Sequence, residues 1–176
     1  RGESVWLTWF ALWVLDRFGP LAERQGDGET AELCRTWGEK LRRAAEEAWD
    51  GKWYLRGWYD DGAPLGSHTS KACQIDSIAQ SWAAISGGKR AKEGLKAALE
   101  RLYDRKKGLV RLFDPPFDPG EEQPGYIQAY PPGVRENGGQ YTHAAAWAAL
   151  ALCRLDDPRG AQLLLQLLDG PLGFFQ

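Results

Sequence analysis

The chain has 176 residues, 22 basic and 24 acidic side chains, and a net charge of −2. Its length suffices for one domain with its own core. Near-neutral charge argues against a nucleic-acid partner, which needs a basic stripe, and no apolar run approaches a membrane span.

The three cysteines, Cys34, Cys73 and Cys153, are far apart and odd in number. They read as reduced, mostly buried thiols of a cytoplasmic protein, and no secretory leader is expected ahead of the first helix. There is no CxxC pair, and His68 and His143 share no motif, so no metal site is expected. Nine tryptophans are many for this length. Some must fill a core; others suit the flat C–H face of a pyranose ring.

In chain order, a first helix is expected from Glu3 to Arg24. Val5, Trp6, Trp9, Leu12, Trp13 and Phe18 fall near helical spacing. The segment is apolar on more than one side, which predicts deep burial. A second helix is expected from Thr30 to Trp49. Cys34, Trp37, Leu41, Ala44, Ala45 and Ala48 form its apolar stripe, and Gly51 stops it. The stretch KWYLRGWYDDGAPLGS is rich in aromatics and broken at Asp61-Gly62, the pattern of a β-hairpin. Helices three and four cover Ile75–Ile85 and Lys89–Tyr103, with Gly87-Gly88 between them. GLVRLF reads as a short strand and DPPFDP as irregular. Helix five spans Gly139–Cys153. Asp157-Pro158 opens helix six, which ends near Asp169-Gly170.

These helices form three helix–break–helix units, and in two of them a glycine, Gly94 or Gly160, sits early in the second helix. Such pairs bury their faces only against neighbours, as in α/α toroids and solenoids. The expected fold is all-α. It is a single domain over residues 1–176, a partial toroid of about three helical hairpins with a small β-hairpin and a long irregular loop. Helical signal starts almost at Arg1, and the chain ends on the apolar LGFFQ. The expectation is a piece of a larger protein.

The functional candidate is PGYIQAYPPGVRENGGQYTHAAAW, from Pro124 to Trp147. Three prolines and four glycines in its first sixteen residues preclude helix or interior strand there. The loop carries Tyr130, Arg135, Glu136, Asn137, Gln140, Tyr141 and His143, more polar and aromatic groups than a linker needs. It reads as the lip of a polar pocket, with His143 on the first turn of the helix behind it.

ESVWL (Glu3–Leu7), DDGAPLGS (Asp60–Ser67), CQIDSIAQSWAAISG (Cys73–Gly87), PPFD (Pro115–Asp118), PGYI (Pro124–Ile127) and YPPGVRENGGQYTHAAAW (Tyr130–Trp147) carry a resemblance over nearly the whole chain. They resemble the inverting disaccharide and oligoglucan phosphorylases of the cellobiose phosphorylase group, glycoside hydrolase family 94. The later motifs are most similar to the phosphorylase-like module of cyclic β-1,2-glucan synthases. The resemblance implies an (α/α)6 barrel. It also implies reversible phosphorolysis of a β-glucoside with inversion, giving an α-glucose 1-phosphate. No metal or organic cofactor is implied; inorganic phosphate is the co-substrate.

By the same resemblance, Tyr130, Arg135 and Glu136 hold the sugar in the acceptor subsite, and His143 binds the attacking phosphate. The family's general acid is an aspartate in a Gly-Asp-Trp-Asn-Asp stretch that would lie before Arg1. A second phosphate loop, with Thr-Gly, would lie beyond Gln176. No catalytic residue is therefore assigned within this chain, which is expected to be inactive alone. The implied partners are a β-glucan oligosaccharide, β-1,2-linked, phosphate, and the remaining half of the barrel. Neither nucleic acid nor membrane contact is expected from this segment. Its location is expected to be cytoplasmic, in a parent that attachment to the bacterial inner membrane would suit.

The chemistry is consistent with these residues. An inverting glycosidase uses two carboxyl groups, one as acid and one to activate water. Phosphate is already an anionic nucleophile, so a second carboxylate would only repel it. One acid plus cationic and N–H donors suffices. His143 near a helix N-terminus can donate to an anion that the first-turn amides also favour. Plainer readings stand beside this one. His143 could be a structural histidine, Glu136 a helix cap or a partner of Arg135, and Tyr130 a packing plug. His68 reads as a solvated side chain, Asp76 as a cap and Asp60-Asp61 as turn chemistry. The rival functions are a non-catalytic helical module that binds glycan or a partner, and a glycoside hydrolase on the same fold.

Overall fold

The computed structural model describes residues 3–118 and 124–169. The LGFFQ end lies outside the described residues. Six helices dominate: α1 (Val5–Arg24), α2 (Gly28–Glu47), α3 (Ser77–Ile85), α4 (Ala91–Leu102), α5 (Thr142–Arg154) and α6 (Arg159–Asp169). None of them is long and apolar enough to cross a membrane.

Helices α1 and α3 begin later than periodicity alone indicates, because the residues before them pair as short strands, whereas α2 begins earlier, at Gly28, capped by Asp27. Glu3–Ser4 (β1) pairs antiparallel with Gly57–Trp58 (β2), and Val5 donates its N–H to the Arg56 carbonyl at 3.0 Å. The expected hairpin is present: β2 pairs with Pro64–Leu65 (β3). Its turn is closed by Tyr59 N–H to Ala63 O at 2.9 Å and Ala63 N–H to Asp61 Oδ1 at 2.9 Å. Ile75–Asp76 (β4) is likewise a strand, not the start of α3. The Asp76 carboxylate caps α3 instead, accepting from Ile78 N at 2.8 Å and Ala79 N at 3.0 Å.

GLVRLF is not one strand. Tyr103–Asp104 (β5) pairs with Leu109–Val110 (β6), whereas Phe113–Asp114 (β7) pairs with β4. The residues between turn to the central loop: Leu112 N–H donates to Gly139 O at 2.8 Å, and Val110 N–H to Gln140 Oε1 at 3.0 Å.

Each odd-numbered helix packs on the even one that follows, and α1, α3 and α5 pack side by side. Trp82 and Trp147, equally deep in α3 and α5, bring their rings to 5.3 Å. Ile78 and Ala144, nearer the two helix starts, share a second cluster. These two points show that α3 and α5 run parallel. The two repeat glycines mark close approaches. A Cβ on Gly94 of α4 would lie 2.6 Å from Gln80 Oε1 of α3, and one on Gly160 of α6 would lie 2.8 Å from Ala149 O of α5. Side chains at either position would push the hairpin apart.

The main core gathers Trp9, Leu12, Tyr54, Ile75, Leu95, Leu102 and Leu152 between the helix rows. A smaller core of Cys73, Leu112, Phe113, Phe117 and Ala144 lies under the central loop. Two burial expectations are corrected. Helix α1 is not buried all round: Leu7, Phe10, Val14, Phe18 and Leu21 are exposed at helical spacing, although the Phe10 ring also touches Trp82 of α3. Trp37 is 49% exposed and Ala44 is also exposed, because α2 meets α1 through Ala31, Cys34, Gly38 and Ala45. The Trp37 ring instead lies under the Lys40 ammonium at 4.8 Å. All three cysteines are unbridged; Cys34 and Cys73 are buried, but Cys153 is exposed.

Candidate functional site

The loop between β7 and α5 closes on itself before α5 begins. After a 3-10 turn (Tyr126–Ala129), Val134 N–H donates to Pro131 O, Asn137 N–H to Val134 O and Gly133 N–H to Asn137 O. Gly138 has a positive φ of 80°, and a Cβ there would sit 3.0 Å from Pro116 and 3.2 Å from Phe113 O. Only glycine lets the chain bend that tightly against the segment below.

This fold brings together the residues expected at the site. Arg135, with a positive φ of 47°, lays its guanidinium over the Tyr130 ring, 5.0 Å from its centre. Its Nε is 3.6 Å from Glu136 Oε2. The Glu136 side chain is 17% exposed, and Oε2 is buried with no hydrogen-bond partner. His143 is on the first turn of α5, as expected, and is exposed. Its imidazole stands edge-on between Tyr141 at 4.2 Å and Trp147 at 4.8 Å. It is therefore held by aromatic rings, not sealed among aliphatic side chains.

Electrostatics link the two groups. The Glu136 charge, followed by burial, raises the Tyr141 pKa. Burial lowers the His143 pKa below 6.5, and Glu136 opposes that shift. At neutral pH the imidazole is thus mainly neutral and can donate through one N–H. Glu136 does not cap α5: Tyr141 is the N-cap residue and no side chain caps the helix. The first-turn amides of α5 therefore have no side-chain cap, and uncapped helix N-termini favour anions.

The other candidates have structural partners. Asp50 Oδ2 accepts from His68 Nδ1 and from His68 N, each at 2.8 Å. His68 is therefore anchored, contrary to the solvated reading, because the nearly buried Asp50 organises that turn. Asp76 caps α3 and also forms an ion pair with Arg56. Among the described residues no cluster of three or more His, Cys, Asp or Glu could hold a metal. Cavities of about 280 and 450 Å³ lie between α4 and α6, around Leu95, Leu99, Leu152 and Arg159, away from the loop. The expected lip, by contrast, is an open face: Arg135, Val134 and His143 are all exposed.

Sequence reasoning counted Asn137 only as one polar loop side chain and gave Trp147 no role. In the structure Asn137 is fully buried, and Trp147 supports His143. Spacing alone gave no signal for either; the helical register of His143 and Trp147, one turn apart, could have flagged the second.

A family model, the glycosyl hydrolase 94 superfamily catalytic domain, matches residues 1–168. The chain belongs to this family. It is 46% identical over 173 residues to a cyclic beta-(1,2)-glucan synthase, NdvB, of Rhizobium meliloti, covering 96% of this chain and 6% of that protein. It is 36% identical over 157 residues to a 3-O-beta-D-glucopyranosyl-beta-D-glucuronide phosphorylase of Paenibacillus borealis, covering 87% of this chain and 20% of the relative. An N,N'-diacetylchitobiose phosphorylase of Vibrio furnissii is 28% identical over 160 residues, 88% of this chain and 20% of the relative. The chain thus spans a fifth or less of these family 94 relatives.

Proposed function

We propose that this chain is the portion of a family 94 catalytic domain that holds the acceptor sugar and the attacking phosphate. The observation that carries the reading is the junction at Glu136. This carboxylate meets Arg135 on one side, and its charge acts on Tyr141 and His143 on the other. The partly exposed Glu136 carboxylate and the exposed Arg135 guanidinium suit sugar hydroxyls. His143 and the uncapped start of α5 suit an oxyanion.

In this reading a phosphate oxygen attacks the anomeric carbon and the glycosidic C–O bond breaks. The leaving oxygen keeps the bonding pair and takes a proton from an acid outside this chain. The product is an α-glucose 1-phosphate. The substrate we propose is a β-1,2-linked glucan, which the similarity to the glucan synthase supports. We further propose that other helices of an (α/α)6 barrel cover the Leu7–Leu21 stripe of α1, and that the domain works in the cytoplasm. The periodic spacing of that stripe supports a helical partner.

The test uses the full-length parent enzyme with β-1,2-gluco-oligosaccharide and inorganic phosphate. His143→Ala should raise the phosphate KM by about tenfold or more, as expected for loss of a hydrogen bond to a charged group. The isolated chain should release no glucose 1-phosphate. An unchanged phosphate KM overturns the role of His143, and product formed without phosphate overturns phosphorolysis.

A further inference from the structure

We propose that Asn137 is a positioning residue that mounts the sugar-gripping half of the site, while the anion-holding half has a second anchor in the main core. The inference rests on the sugar and phosphate roles proposed above.

The Asn137 side chain is 0% exposed and bonded through both ends of its amide. Nδ2 donates to Phe117 O at 2.9 Å and Tyr130 O at 2.8 Å, and Oδ1 accepts from Phe117 N at 2.8 Å. One side chain therefore ties the backbone of Tyr130 to that of Phe117. The Phe117 ring packs at 5.3 Å on Phe113, in β7, and β7 pairs with β4. Tyr130, Arg135 and Glu136 are thus borne by the small core under the loop. His143 has a second support. It sits on α5, which is fastened to α3 and α1 through Trp147, with Trp82 at 5.3 Å and Trp6 at 5.9 Å. The two halves share the small core, where Ala144 of α5 also packs, but only the His143 half is also pinned to the main core through Trp147.

Aspartate at 137 keeps the shape but loses both N–H donors. Its carboxylate would face the carbonyls of Phe117 and Tyr130, two acceptors. The sugar half should loosen while α5 stays in place.

The experiment is Asn137→Asp in the full-length enzyme, with Asn137→Ser read in parallel in case the charged variant does not fold. For whichever variant folds, the gluco-oligosaccharide KM should rise about tenfold or more while the phosphate KM stays within about twofold. Amide exchange, read without ligand, should speed up at residues 130–136 and remain unchanged at 143–153. Exchange that rises equally in both segments, or in neither, overturns the inference. So does an equal rise of both KM values. If the unmodified enzyme shows no phosphate dependence, the proposed function fails, and the exchange pattern still decides whether Asn137 is the latch.

Discussion

The imidazole of His143 stands edge-on to the indole of Trp147, their ring centres 4.8 Å apart and their planes at 80°. Trp147 is itself wedged against Trp82, so the orientation of His143 is set from the core. Burial holds the His143 pKa below 6.5, with Glu136 opposing. The folded chain then binds fewer protons at this residue than the unfolded chain. Stability is lost as pH falls from the unfolded value through the folded one. His143→Ala should flatten that fall between about pH 7 and 5, and should lower stability at pH 7 by about 1 kcal/mol through lost ring contacts. Urea midpoints at the two pH values check both.

Glu136 acts on two rings at once, so Glu136→Gln has a paired signature. The His143 pKa should fall further, because the influence that raises it is gone, and the Tyr141 pKa should fall toward its ordinary value. Proton NMR titration of the two rings reads both. A Tyr141 titration that does not move would separate it from Glu136.

Gly160 lets α6 lie on α5. Its missing Cβ would meet Cys153 Sγ at 2.7 Å and the Ala149 carbonyl at 2.8 Å. Alanine favours a helix over glycine by about 1 kcal/mol. Backbone collision should outweigh that, leaving Gly160→Ala less stable by about 1–3 kcal/mol in chemical unfolding. A stabilised variant would mean that α6 shifts freely.

Arg56 and Asp76 form an ion pair in which the carboxylate is 1% exposed and also caps α3. Arg56→Ala leaves that charge unpaired and should cost about 3–5 kcal/mol. Asp76→Asn keeps a capping oxygen and should cost less. Denaturant midpoints of the two variants give the order.

The helix pairs were legible because their apolar residues recur at the right spacing and Gly51, Gly87 and Asp157 mark their ends. Helix starts were less so. Ile75 and Asp76 look helical in isolation, but pairing with Phe113–Asp114, distant in sequence, draws them into a strand. Trp37 was misplaced because hydrophobicity does not say which face meets a neighbour, and here small residues let α1 approach. The candidate site residues stood out through their motif, and the structure brings Tyr130, Arg135, Glu136 and His143 near one another. The role of Asn137 was invisible, since it depends on carbonyls that only the folded loop brings to it.

The uncovered ridge of Leu7, Phe10, Val14, Phe18 and Leu21 has a practical outcome for the chain handled by itself. Water disfavours so much contiguous oil, and the readiest shelter is the same ridge on another molecule. Scattering mass should therefore climb with concentration, and Leu7→Glu combined with Phe18→Glu should return the particle to monomer size.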